Sequence, residues 1–224
     1  MVIPFSTEQF LEVFKTYNLG IWPMQIIAYA IGLAAIIFAI RRTVFSDRLV
    51  SGLLAFLWIW TGIAYHIVFF STINRIAYIF GGLFIVQGIL FLIFGVFLPK
   101  VWYRFRLNFP SIVGVVFLLF AMVVYPVIGS LVGHGYPNSP WFGLTPCPLT
   151  IFTFGLLLWT DKKVPFYMYI IPFLWSLIGV LAAIKLGIFE DVGLLVAGVA
   201  GTIILLIRDR RRRKKAVDEQ KFLM

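Results

Sequence analysis

Apolar stretches close to twenty residues long recur along this chain, each ended by a short polar or charged connector. The hydrocarbon layer of a bilayer is about 30 Å thick, and about 20 helical residues cross it at roughly 1.5 Å each. The pattern therefore predicts seven membrane-spanning helices, at about 22–40, 49–70, 76–98, 112–132, 149–160, 166–184 and 192–207. Ahead of them, residues 6–18 follow a different rhythm. Phe10, Val13, Phe14 and Tyr17 share one helical face, Glu8, Glu12 and Lys15 the other, and Ser6 and Gln9 stand at capping-box spacing. This predicts an amphipathic helix lying in the interface plane, the alternative being a surface helix packed on the bundle end. The expected architecture is all-α: an interfacial helix at 1–20, a seven-helix bundle at 21–207 and a basic tail at 208–224.

One polar interruption stands out between the fourth and fifth apolar runs. Residues 134–148 hold one of two histidines, the only cysteine and four of the eleven prolines. Irregular backbone is costly in hydrocarbon, because each unpaired N–H or C=O loses several kcal/mol. The run that follows is short. From Cys147 to Lys163 there is only about 25 Å of helix, and the charged residues at its end must reach the headgroups. The start of this helix is thus expected below the surface, with the loop before it dipping inward around a pocket. Pro146 and Pro148 suit a first helical turn. Pro126 removes one bond from the fourth helix, and Gly129 and Gly133 allow close backbone approach there. In the seventh run Ala197 and Gly201 form a small-x-x-x-small pair, read as bundle packing.

Composition agrees: 62% of residues are hydrophobic and 12% charged. The net charge of +10 is distributed as a topology signal and not as a nucleic-acid surface. With the N-terminus outside, sixteen of the nineteen Lys and Arg residues fall on the inner side, leaving Lys15, Arg75 and Lys185 outside. This predicts N-out, C-in and places the polar interruption on the outer face. Trp22 and Trp141 at one level, Trp102 and Trp159 at the other, fit two aromatic belts. The tail residues Arg210, Arg211, Arg212, Arg213, Lys214 and Lys215 are expected to touch anionic inner-leaflet lipids, with a protein partner as the second reading. No cleavable signal peptide is expected in the first 20 residues, which lack a continuous apolar core. A lone cysteine excludes an intramolecular disulfide framework, and no internal repeat supports an inverted-repeat transporter.

Candidate chemistry gathers on the outer side. His66, His134 and Cys147 are zinc- or copper-type ligands, with Glu8, Glu12, Glu190 or Asp191 available to complete a set, although no ligand pair has a recognised spacing. Cys147 at a helix start is also a candidate thiolate, with His134 or His66 as base. The N–H groups at 149–152, with Thr150, Tyr136 and Asn138, could instead receive a small ligand, Trp141 and Phe142 giving it an apolar wall. Gln25, Gln87, Thr61 and Asn74 are the main polar residues within the spans, and Gln25 and Asn74 join His66, His134, Tyr136, Asn138, Cys147 and Thr150 as ligand-binding candidates. The leading expectation is binding, with transport as its extension, of a small polar solute or ion. The alternatives are a metal- or thiol-dependent membrane enzyme and an accessory subunit working through its tail. Retinal chemistry is excluded because the seventh run has no lysine, and no His-Glu-x-x-His, Gly-x-Ser-x-Gly or phosphate-binding glycine loop occurs.

The residues Phe5-Ser6-Thr7-Glu8-Gln9-Phe10, Tyr17-Asn18, Trp22-Pro23 and Tyr65-His66 carry a resemblance. So do His134-Gly135-Tyr136-Pro137 and Pro146-Cys147-Pro148-Leu149-Thr150-Ile151-Phe152. In them the chain resembles the domain of unknown function 6064 family of bacterial integral membrane proteins, over essentially its whole length. The resemblance implies a multi-pass protein of the bacterial inner membrane. It implies no activity, substrate or cofactor.

Overall fold

A helix with no polar face must be wrapped by other helices, and residues 146–158 illustrate this. A computed structural model describes residues 4–133 and 135–222, with Phe189 and 213–222 described by backbone alone. The chain is 76% helical. Its main elements are α1 (Thr7–Gly20), α2 (Met24–Ile40), α3 (Ser46–Thr72), α4 (Ala77–Phe97), α5 (Phe109–Leu131), α6 (Pro146–Leu158), α7 (Ile170–Leu186) and α8 (Val192–Phe222). No strand forms among the described residues beyond an isolated bridge between Tyr103 and Thr160. α6 is the hub. Every one of its 13 residues is buried except Cys147, which is partly exposed. It packs chiefly on α5 and α8, and also on α7 and α3.

α3, α4, α5 and the first 21 residues of α8 are long and apolar enough to cross a bilayer. α1 and α2 meet at 85° and add a fifth crossing if they form one broken span. Length and composition thus mark four or five spans, where the hydropathy pattern predicts seven. The difference lies in α6 and α7, whose helical stretches are shorter than a full crossing. At about 1.5 Å per residue α6 is only some 20 Å long.

α1 begins with the capping box expected of it: the Ser6 hydroxyl accepts from the Gln9 amide and the Gln9 side chain accepts from the Ser6 amide. Its apolar face does not lie alone at a lipid surface. Phe14 stacks on Tyr65 at 5.5 Å, and Tyr17 meets Phe69 edge-on at 5.2 Å. The helix is therefore packed on one end of the bundle. Trp159 also departs from expectation. It is buried and donates to the Ser111 carbonyl at 2.9 Å, so it does not belong to an aromatic belt.

Two wide helical turns shape the interior. Residues 61–69 of α3 form a π-helical stretch, in which Tyr65 and His66 are both buried. A second π stretch, 120–124 in α5, precedes Pro126. Pro126 cannot donate to the Met122 carbonyl four residues back. The Tyr29 hydroxyl donates to it at 2.8 Å instead. Small residues set the closest approaches. A Cβ on Gly114 would stand 2.7 Å from the Gly155 carbonyl, which fixes the α5–α6 contact. Ala197 is buried and Gly201 faces Phe154, so the small residues of α8 serve packing within the bundle.

Candidate functional site

The segment leading into α6 is folded inward: Ser139, Pro140 and Phe142 through Thr145 are buried. Buried irregular backbone needs partners, and side chains from α1 and α3 supply them. The Asn18 amide donates to the Pro137 carbonyl at 2.6 Å and to the Ser139 carbonyl at 2.8 Å. The Tyr17 hydroxyl donates to the Leu144 carbonyl at 2.8 Å and accepts from the Trp60 indole at 3.0 Å. Thr61 donates to the Gly143 carbonyl at 3.4 Å. α1 thus clamps the loop, and the loop sets where α6 begins.

Beside that start lies a cavity of about 250 Å³. Its walls are largely apolar, and the aromatic residues among them include Phe14, Tyr65, Phe70, Phe80 and Trp175. Its polar end is Asp191, in the turn before α8, with Tyr125 of α5 and Cys147 of α6. The Tyr125 hydroxyl donates to Asp191 Oδ1 at 2.5 Å, and the Cys147 thiol to Oδ2 at 3.5 Å. Burial pushes the Asp191 carboxyl up to about 7, although both of these hydrogen bonds pull it the other way; neighbouring Glu190 pushes it up further. Cys147 is therefore seated as a donor to a carboxylate, which does not fit a thiolate nucleophile.

The residues anticipated from the sequence are dispersed around this cavity. Cys147 and Asn74 line it. The Asn74 side chain accepts from the Ile76 amide at 3.2 Å. His66 lies outside the lining in a cage of rings, its centroid 4.7 Å from Phe84 and 5.1 Å from Trp175. Neither of its nitrogens has a hydrogen-bond partner among the described residues. Thr150 is buried and donates to the Pro146 carbonyl at 2.8 Å, so it closes its own helix turn. Tyr136 and Gln25 border a separate open depression with Trp22 and Trp141, and the Gln25 amide donates to the Asn18 carbonyl. The Asn138 amide donates to the Gly135 carbonyl in a turn. Glu8 is exposed in the first turn of α1. Among the described residues no three His, Cys, Asp or Glu side chains stand close enough to hold a metal ion. His134 lies outside the described residues. Arg210 and Arg211 are exposed, Arg212 donates to the Thr160 carbonyl at 3.4 Å, and the side chains of Arg213, Lys214 and Lys215 lie outside the described set.

A family model described as a family of unknown function, DUF6064, matches residues 7–216. The chain belongs to the DUF6064 family. No curated protein and no solved structure matches it. The family match runs from α1 into the basic part of α8, so it includes Tyr65, Tyr125, Cys147, Trp175 and Asp191. Of these, Asp191 was visible as one outer acid among several. A carboxylate placed directly before an apolar run is the signal that singles it out, since that is a helix-start position where an anion is favoured. Tyr125 and Trp175 carried no such mark, because an aromatic residue in an apolar helix reads as packing.

Proposed function

We propose that the protein is a seven-span membrane protein, N-out and C-in, that binds a small molecule in the cavity beside the start of α6. In this reading α6 and α7 complete the crossing together with their flanking segments, because α6 is shielded from lipid by its neighbours. The distribution of Lys and Arg supports the orientation, and the family resemblance supports reading the membrane as a bacterial inner membrane. The observation that carries the function is the cavity itself: an apolar-walled space of about 250 Å³ ending on a buried carboxylate. Small-molecule sites are typically concave and mostly apolar, with a few placed polar groups and volumes of about 300–1,000 Å³, so this one suits a small ligand. Its walls favour a largely apolar body carrying one polar group over a hydrated ion or polar solute. The far end of α6 is closed by arginine-to-carbonyl hydrogen bonds, which supports binding without passage.

Native mass spectrometry of the protein released from membranes tests this. A small bound mass is expected in the wild type and absent from Ala182→Phe, which sets a ring at a lining position of the cavity. Identical spectra for the two proteins would count against the reading. A green fluorescent protein fused after residue 224 is expected to fluoresce, and a dark fusion would reverse the orientation.

A further inference from the structure

The cavity's walls and its buried acid differ in kind, and together they name a ligand class. Phe14, Tyr65, Phe70, Phe80 and Trp175 border the space, and such rings receive an apolar body out of water. Asp191, only 5% exposed, lies at its end. Its oxygens meet two neutral donors, the Tyr125 hydroxyl and the Cys147 thiol, which orient the carboxylate without cancelling its charge. Asp191 also directly precedes α8 and touches the first turn of α6, so the positive ends of two helix dipoles favour its ionised form. Lys185 is the basic residue of the lining, and it is exposed. Resting on the reading of this cavity as a small-molecule site, we infer that its ligand is a small lipophilic amine whose ammonium group pairs with Asp191 while its apolar body lies among the rings. A neutral molecule of the same shape leaves the charge uncompensated, and an anion is repelled by it.

Full-length protein in phosphatidylcholine nanodiscs, titrated with phenethylamine, 2-phenylethanol and 3-phenylpropionate, tests the assignment. Tryptophan fluorescence reads binding because Trp175 borders the cavity, with empty nanodiscs as blank. Phenethylamine is expected to bind at least tenfold tighter than the alcohol, and the carboxylate not at all. Asp191→Asn is expected to bring the amine down to the alcohol's affinity. An amine that binds the wild type no tighter than the alcohol overturns the amine assignment and leaves the cavity reading intact. So does undiminished amine preference in Asp191→Asn. Absence of saturable binding by all three compounds, with Ala182→Phe indistinguishable from wild type, overturns both readings. The wild-type comparison decides even if Asp191→Asn fails to fold.

Discussion

The two ends of α6 solve the same electrostatic problem in opposite ways. Where the helix finishes, the Arg208 guanidinium donates to the carbonyls of Leu157, Leu158 and Thr160 at 3.2–3.4 Å, and Arg212 adds a fourth contact at Thr160. Arg208 is paired with Asp209 at 2.9 Å, and Asp209 in turn accepts from the Val164 amide at 3.0 Å. Arg106 reaches Asp161 at 3.0 Å, and the Lys162 ammonium sits 3.6 Å from the Trp102 ring centre. Where the helix starts, a single carboxylate faces the first turn, held by a phenol and a thiol, with open space beside it. Both ends carry the sign of charge that the helix dipole favours. One end spends its charge on carbonyls and an ion pair, whereas the other keeps a charge with room next to it. The contrast separates a part built to hold the bundle closed from a part left able to take a ligand.

Breaking the closed end is expected to have the largest effect. Arg208→Ala strips three carbonyls of a donor and leaves Asp209 mostly buried without its partner. Removal of one member of a buried pair costs about 3–5 kcal/mol, read as a lower midpoint of thermal unfolding in nanodiscs. Arg208→Lys is expected to recover only part of this, because an ammonium lacks the planar fork that spans several carbonyls. A wild-type midpoint in Arg208→Ala would mean that the carbonyls find water instead. At the other end Asn18→Ala comes next. One buried and one partly buried carbonyl lose their donor, at a cost of about 2 kcal/mol, and the loop into α6 is released. Maleimide should then modify Cys147 faster than in wild type. An unchanged labelling rate would show that α1 does not hold the loop.

The sequence was most legible where a period or a length decided the outcome. The α1 face of Val13, Phe14 and Tyr17, the Ser6–Gln9 cap and the apolar runs of α3, α4, α5 and α8 follow from spacing alone. The shortness of the run after Cys147 also pointed to something unusual at the start of α6. What could not be read was which face of each apolar helix turned inward. α6 is apolar on all sides, so nothing in its pattern distinguishes a lipid-facing span from a buried hub. Nor does the pattern show that the neighbours Tyr65 and His66 both turn into the bundle. His66 was therefore grouped with Cys147 as a ligand, whereas rings surround it. The polar partners of Cys147 came from α5 and from the turn before α8, more than twenty and more than forty residues away, and no local motif links them.

The open end should also respond to pH. With its carboxyl raised to about 7 by burial, Asp191 keeps its proton in the folded protein across a window where the unfolded chain has lost it. Stability therefore falls as pH rises from about 4 toward 7 and levels off above that. Asp191→Asn removes this slope, so wild type minus Asp191→Asn should become less favourable between pH 5 and pH 8 in thermal unfolding. A constant difference would mean that the carboxyl is ionised throughout and that water reaches it.

The smallest effect sharpens the contrast most. Tyr125→Phe deletes one hydroxyl and leaves the ring in place, so the cavity keeps its shape. The bond it removes is to Asp191 at 2.5 Å, and a hydrogen bond to a charged acceptor contributes about 1.5–3 kcal/mol while a neutral one contributes about 1. At pH 8, with Asp191 ionised, the loss should approach the larger figure, partly offset by space for a water. At pH 5, with Asp191 protonated, it should fall to about 1 kcal/mol or less. The same deletion takes away a contact that holds the Asp191 carboxyl down, so the sloping part of the stability curve moves to higher pH than in wild type. The loss in Arg208→Ala is expected to depend less on pH, because the contacts it removes at this end of α6 are to backbone carbonyls, which carry no proton to lose. Equal pH profiles for the two variants would remove the distinction between the ends of α6.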